Sequence, residues 1–563
     1  MTIGAVWLRK RASNLQAADV EPHSLAKRVR SGAFWIIANT ISLRLVSVLS
    51  TAVVARIVSP RDFGVFGVAT ACYTIVYSIG QLGVTSCLIR ADLDIDNLAP
   101  TIVTVSIVSN SALAGAMIAC AHPIAALLGS ATAAATVKVM AIALILAGIF
   151  AVSSAQMVRD FRQREIFLAN GVSLAISTFV LIALAKMGSG ALAFAWSMVV
   201  NQLVRGAILF TTAPRRYRLG FRRTALRVVL RFAIPLAGAN LVQNILLNVD
   251  YLLVGHLFGA AVLGIYFLAF NVATWQTGLL GGIINVLSVP TFSRVKGDAD
   301  RLNSAVSVAL RAVSLVAMPM CGLMMALAHP LMLTLYGKKW AASGNVLLVL
   351  ALYGAIFVIC LLLANIVTAF GRTRSLFVVQ VIWLGILILA MILGVHEDGV
   401  LGVAYAHVAV IVLVVLPSYL ILLRRTTGLR FGAFRKAVVP ALVAAAATAL
   451  AARVAAGMLS GPAAQLVGGL VVGGVIYVLT AGRPAAAAFG WSKLAQRSQL
   501  VGWRPHFRHR RGRHRAPGIQ QWSDRLPGSS WPRERRWSSY LLSFKRHGQR
   551  GVRQRRMARR MGG

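Results

Sequence analysis

The sequence predicts an all-α polytopic membrane protein of about fourteen transmembrane helices, arranged as two pseudo-symmetric six-helix lobes followed by two C-terminal helices. Three observations predict this. Apolar segments recur from Ala33 to Ala481, each near the length that a tilted helix needs to cross a bilayer. Of 563 residues, 58% are hydrophobic and 13% charged, and the mean hydropathy is +0.74, which argues against a soluble enzyme. The chain also matches itself at an offset of about 200 residues.

Residues 1–32 are polar and basic, with Arg9, Lys10, Arg11, Lys27, Arg28 and Arg30, and hold no apolar run ending in a cleavage site. An uncleaved, cytoplasmic N-terminus is expected. The first lobe, 33–212, has spans beginning near Ala33, Phe63, Thr101, Ala133, Ile166 and Gly190. A basic cytoplasmic linker, 213–231, leads to the second lobe, 232–423, with spans from Phe232, Val262, Ala305, Gly344, Leu376 and Val400. Two extra helices, from Val438 and Ala463, occupy 424–481. Lys and Arg concentrate in alternate loops: RDFRQRE, RRYRLGFRRTALRVVLR, SRVKGDADR, GRTR and RRTTGLRFGAFRK. That side holds about 27 of them against about five opposite, which puts both termini in the cytoplasm.

The net charge of +43 follows the membrane sides and one tail, so nucleic acid is not an expected partner. Residues 482–563 are Arg-rich, carry scattered Trp and lose hydrophobic periodicity, and are expected to be disordered. Two readings of this tail stay open: a polybasic segment held by anionic lipid, or a frameshift product, since RPHFRHRRGRHRAPG reads like GC-rich DNA translated out of frame. Cys72, Cys87, Cys120, Cys321 and Cys360 fall in apolar segments without Cys-x-x-Cys spacing, so they read as small buried hydrophobes. The histidines lack metal-site spacing, and neither a metal nor a cofactor is expected.

The internal match pairs ARIVSPRDFGVFGVA, from Ala55, with GHLFGAAVLGIYFLA, from Gly255. Val54 aligns with Val254, Gly64 with Gly264, Phe66 with Tyr266 and Ala69 with Ala269. Two homologous lobes enclose a cavity that opens to either side in turn, the geometry of alternating access.

These stretches, with SGAFWIIANTISLRL, GVTSCLIRADLDIDNLAPT, SAQMVRDFRQREIFLA, NVDYLLVGHLFGAAVLGIYFLA, VPTFSRV and LYGKKWAASGNVLLVLALYG, resemble the polysaccharide or O-antigen flippase family. Within the superfamily of multidrug and oligosaccharidyl-lipid exporters, the exopolysaccharide-export branch is the most similar. The resemblance implies an inner-membrane flippase for polyprenyl-pyrophosphate-linked oligosaccharide repeat units, working beside polymerase and export proteins. A lipid-linked peptidoglycan precursor flippase, a multidrug/cation antiporter and a membrane glycosyltransferase or polymerase are the alternatives.

Such a cargo demands fixed cations for its phosphates and hydrogen-bonding groups for its sugars. Thr40, Arg44, Ser47 and Thr51 share one face of the first span. At the repeat-related positions stand Asn240, Asn244, Leu247 and Tyr251, with Gln243 beside them. An Arg deep in a span marks a functional site; Arg44 and Arg205 are therefore pyrophosphate candidates, and Arg56 is either an interfacial anchor or a contact on release. Sugar contacts are expected from Thr70, Tyr73, Thr74, Tyr77 and Gln81 on the second span, and from Asn271, Thr274, Gly278 and Asn285 on the eighth, with Trp275 nearby. Interhelical packing is the competing role for these polar residues.

Of fifteen Asp and Glu residues, only Asp250 falls inside an apolar segment. A cation antiporter needs intramembrane acids, so this cavity favours an anionic substrate. Asp250 itself reads equally as a site for a coupling proton or sodium ion and as the partner of a neighbouring Arg.

Overall fold

Hydrocarbon supplies no hydrogen bonds, so a spanning chain satisfies its backbone internally. Accordingly, every regular element in the computed structural model is helical among the residues it describes, 42–44, 46–80, 95–127, 131–294, 299–427 and 431–489. The expected basic N-terminus, Thr40, Gln81, Cys87 and the Arg-rich tail beyond residue 489 lie outside the described residues.

In chain order, α1 covers residues 42–44 and 46–57, followed by α2 (Pro60–Gly80), α3 (Ile95–Ala119), α4 (Ala121–Leu127), α5 (Ala131–Arg159), α6 (Gln163–Lys186) and α7 (Ala191–Thr212). After the linker come α8 (Arg223–Leu246), α9 (Val249–Ala273), α10 (Trp275–Arg294), α11 (Ala299–Ala326), α12 (Ala328–Leu335), α13 (Ser343–Ala369) and α14 (Thr373–Val410). A π-helical turn, Ile411–Val415, continues into α15 (Leu416–Thr427), and α16 (Phe431–Gly457) and α17 (Pro462–Phe489) complete the described chain. Large apolar side chains such as Leu49, Phe179, Leu389, Leu413 and Val478 point outward and are exposed, the inside-out pattern of a surface bathed in lipid.

Eleven stretches among the described residues are long and apolar enough to cross a membrane. The expected count of about fourteen is not reached on this measure: chain reversals are hidden within two continuous helical runs, and the first span lies only partly among the described residues. One run of 55 residues, Thr373–Thr427, contains the non-helical pair Asp398 and Gly399. Around it the backbones of Gly394 and Gly402 touch, a Cβ on Gly402 falling 1.7 Å from the Gly394 carbonyl oxygen. The spans expected from Leu376 and Val400 are thus two antiparallel legs. Likewise α9 reverses at Gly259, whose φ of +76° lies in the region that favours glycine, and Tyr251 packs back on Phe267 and Phe270. The seventh span is assembled from α8 and the first leg of α9. The eighth combines the second leg with α10.

The internal repeat is visible as a contact. A Cβ on Gly64 would sit 1.8 Å from the carbonyl oxygen of Ala260, and one on Gly264 would sit 1.8 Å from that of Pro60. The two aligned glycines therefore let the hairpin α1–α2 and the hairpin of α9 cross backbone to backbone, each serving the other in the same way. A second repeat signal emerges in the short helices: α4 opens Ala121-His122-Pro123 and α12 opens Ala328-His329-Pro330.

Sequence-local chemistry shapes the first hairpin. Ser59 precedes Pro60 at the start of α2; its Oγ accepts from the Asp62 backbone N–H at 3.2 Å and donates to Asp62 Oδ2 at 2.6 Å. This is an N-cap followed by a proline whose missing N–H costs nothing there. The Gly337-Lys338-Lys339-Trp340 turn then straps the hairpin: Trp340 Nε1 donates to Ala55 O at 2.9 Å, and Lys339 Nζ donates to the carbonyls of Val58 (2.7 Å) and Arg56 (3.1 Å). Phe63 meets the Trp340 ring edge-on at 4.9 Å. Of the cysteines, Cys321 and Cys360 are buried and Cys72 half-buried, but Cys120 is exposed between α3 and α4, a departure from the expected burial.

Candidate functional site

Depth along the helices brings the first group of residues to one level. Arg44 lies fourteen positions before the hairpin at Val58, or about 21 Å along α1 at 1.5 Å per residue. Arg205 lies equally far from Ala191, the start of α7, and that start adjoins the same hairpin, since a Cβ on Gly190 would touch Asp62. Tyr73 is within electrostatic reach of Arg205 and stacks on Tyr77 with centroids 5.5 Å apart.

Arg44 reaches across to the second repeat. A Cβ on Gly278 in α10 would lie 2.9 Å from the Arg44 Cζ, so the guanidinium occupies space that a side chain there would fill. Its Nε, like that of Arg205, is buried without a hydrogen-bond partner among the described residues, and so are the hydroxyls of Thr70 and Thr277. Unused donors on two arginines suit an anion: a guanidinium offers its N–H groups in a fork matching carboxylate or phosphate oxygens.

Arg56 stands apart. Its guanidinium donates to the carbonyls of Leu335, at 3.2 Å, and Thr334, capping the C-terminal end of α12, where free carbonyls favour a cation. Together with Lys338 and Lys339 it lines an open cavity of about 760 Å³ beside Tyr336.

The amide stripe on α8 is partly committed to its own backbone. Asn244 Nδ2 donates to the Asn240 carbonyl at 2.9 Å and Asn248 Nδ2 to the Asn244 carbonyl at 2.8 Å. Gln243 instead lines a small cavity of about 50 Å³ with Gln380, Trp383 and Tyr419. Ser47, Thr51 and Asn271 are half-buried; Thr274 donates to the Asn271 carbonyl, and Trp275 packs on the apolar core. Tyr251 is buried, closed in by Tyr266, Phe267 and Phe270.

Asp250 forms a second, separate arrangement. The carboxylate is fully buried. Its Oδ2 accepts from the Tyr266 hydroxyl at 3.0 Å and lies 3.9 Å from His407 Nε2, while Oδ1 has no partner. Tyr266 also approaches His407 Nδ1 at 3.5 Å, and that nitrogen faces the Val403 carbonyl at 3.2 Å. Among the described residues no arginine pairs with Asp250; a phenol and an imidazole stand there instead. His407 is buried in the last turn of α14. Sequence reasoning missed both, although a signal existed, since Tyr266 carries a hydroxyl where the repeat-related position has Phe66, and His407 interrupts an apolar run.

Comparison with known proteins bears on this fold. A model of the polysaccharide biosynthesis protein family matches residues 53–345. The succinoglycan biosynthesis transport protein ExoT of Rhizobium meliloti is 24% identical over 62% of this chain and 71% of its own length. The lipopolysaccharide biosynthesis protein WzxC of Escherichia coli is 22% identical over 72% of this chain and 83% of its own. Among solved structures, the lipid II flippase MurJ in an inward closed conformation superposes with a TM-score of 0.62 at 14% identity, covering 82% of this chain and 99% of that one.

Proposed function

This chain belongs to the polysaccharide biosynthesis protein family, and we propose that it is the flippase of such a pathway. It carries polyprenyl-pyrophosphate-linked oligosaccharide repeat units outward across the cell inner membrane, for exopolysaccharide or O-antigen assembly, by alternating access and without changing them covalently. The observation that carries this reading is the pair of intramembrane arginines, Arg44 and Arg205, whose buried Nε atoms have no partner among the described residues. Asp250 is the only fully buried carboxylate among the described residues, and it is engaged by Tyr266 rather than by either arginine. An unneutralised cationic layer at membrane depth calls for an anionic cargo, and a pyrophosphate satisfies two guanidinium forks at once.

In this scheme Arg44 and Arg205 take the phosphates, while Tyr73, Tyr77, Asn271 and Thr274 face the sugars. The first lobe, 33–212, and the second, 232–423, rock about the Gly64–Gly264 crossing. The basic loops and both termini are cytoplasmic, and the crossing closes the outer side. Polymerase and export proteins receive the product.

The test is to delete the gene and analyse lipid-linked intermediates. Complete repeat units trapped at the cytoplasmic face, with surface polymer lost, are expected; polymer still reaching the surface of the deletion strain overturns the reading.

A further inference from the structure

The geometry points to a proton-binding site formed by Asp250, Tyr266 and His407, which makes H⁺ the coupling ion of transport. This inference rests on the flippase reading above and specifies how the cargo movement is driven.

Four features of the cluster lead there. First, the carboxylate and the imidazole are both fully enclosed, the imidazole edge-on to Phe270 and Tyr353 with centroids 5.7 and 5.0 Å away. Second, the titratable groups facing the carboxylate are Tyr251 and Tyr266 from α9, Tyr353 from α13 with Cys360 behind it, and His407 from α14; neither Lys nor Arg pairs with it among the described residues. Third, Asp250 Oδ1 is buried and has no hydrogen-bond partner among the described residues. Fourth, the oxygens offered are one carboxylate and one phenol, whereas a hard cation takes about six oxygen ligands. No group of three His, Cys, Asp or Glu residues able to hold a metal was found among the described residues.

The charge states decide what such a site binds. With no proton shared between them, Asp250 and His407 carry one uncompensated negative charge; with two, one uncompensated positive charge. Burial opposes both states and favours the neutral combination, in which the pair holds a single proton. That proton leaves only when water enters.

Entry of water requires the pieces to separate, and the pieces belong to different spans. Asp250 stands in the first turn of α9, immediately after the α8–α9 break at Leu247 and Asn248. Tyr266 lies beyond the reversal at Gly259, and His407 belongs to the second leg of α14. The single carboxylate thus ties the seventh, eighth and twelfth spans together while protonated and enclosed. Opening this side of the bundle releases the proton, and reloading it recloses the cluster. Arg44 meets Gly278 on α10, the continuation of the eighth span, so the cargo site and the proton site share one moving element.

The experiment uses the deletion strain complemented with the full-length chain. Surface polymer is measured in sodium-containing and sodium-free medium, with and without nigericin, which collapses the pH gradient. Nigericin is expected to lower wild-type export about tenfold, and sodium removal to leave it unchanged. Asp250→Asn and His407→Gln should export no better than the nigericin-treated wild type and lose their response to nigericin. Tyr266→Phe, which keeps the ring and its packing, should displace the pH profile of export at unchanged protein level. Wild-type export that ignores nigericin, or that depends on sodium, overturns the proton site; so does an unmoved profile in Tyr266→Phe. Failure of the wild-type gene to restore export at all would instead overturn the flippase reading.

Discussion

The two repeat-related halves share a backbone design and differ in charge. The first half carries the intramembrane arginines Arg44 and Arg205, whose buried Nε atoms have no partner among the described residues. In the second half the repeat-related position of Arg44 is Asn244, and the buried ionisable pair is Asp250 and His407, bridged by Tyr266. Yet the crossing of the halves is reciprocal, Gly64 against Ala260 and Gly264 against Pro60. The contrast teaches that the close backbone contact is set by both halves at once, whereas the ionisable side chains deeper in the bundle are particular to each half. Cations without partners suit an external ligand; an enclosed acid beside a phenol and an imidazole suits an internal proton.

The comparison breaks most easily at the crossing. Gly64→Val and Gly264→Val each drive a side chain into backbone, so each is expected to destabilise the protein by about 3 kcal/mol, the upper end for overpacking. Melting of the purified protein should show equal losses for the two, and a large inequality would break the reciprocity. Next in size are the arginines. Arg44→Ala removes charge-assisted hydrogen bonds worth about 2 kcal/mol, so surface polymer should fall about 30-fold, while the melting temperature stays put because the Nε has no partner to lose. A drop in melting temperature with normal export would make Arg44 structural.

Gly278→Leu sharpens the same point from the other half. The new side chain occupies the guanidinium's place, and export should fall about tenfold, or about 1.4 kcal/mol, with Arg44 still present. The smallest effect is expected at the strap. Trp340→Phe keeps the ring against Phe63 but deletes the bond to the Ala55 carbonyl, costing about 1 kcal/mol of stability, read as a lower melting temperature.

Much of the fold was legible before any coordinates. Segment positions held closely: spans expected from Ala133, Gly190, Gly344 and Ala463 match helices beginning at Ala131, Ala191, Ser343 and Pro462. The legibility has a local cause, since apolar length and helix-breaking residues are written along the chain. The starts expected at Val262 and Val400 likewise fall just past the reversals at Gly259 and Asp398–Gly399, where the helical hydrogen-bond pattern is so nearly continuous that helix length alone undercounts the crossings.

The candidate site was legible in part. A lone Arg in an apolar run announces itself by its cost, which singled out Arg44 and Arg205. Arg56 announced itself too, but its donors are spent on the Thr334 and Leu335 carbonyls, a contact between residues far apart in the chain. Asp250 was visible as an acid; Tyr266 and His407 were not, because a tyrosine or histidine in a span is unremarkable until its neighbour is known.

By itself the sequence determined that this protein is a helical membrane bundle with an internal repeat, several intramembrane cations and a single intramembrane acid. Those properties depend on composition and on hydrogen bonds closed within each segment, which hydrocarbon enforces locally. Only the tertiary structure decided that Gly64 meets Ala260, that Arg44 fills the space beside Gly278, and that Asp250 shares a cluster with Tyr266 and His407. Each of these depends on helix rotation and tilt, and a shift of one residue turns a side chain by about 100°, enough to exchange a partner for lipid.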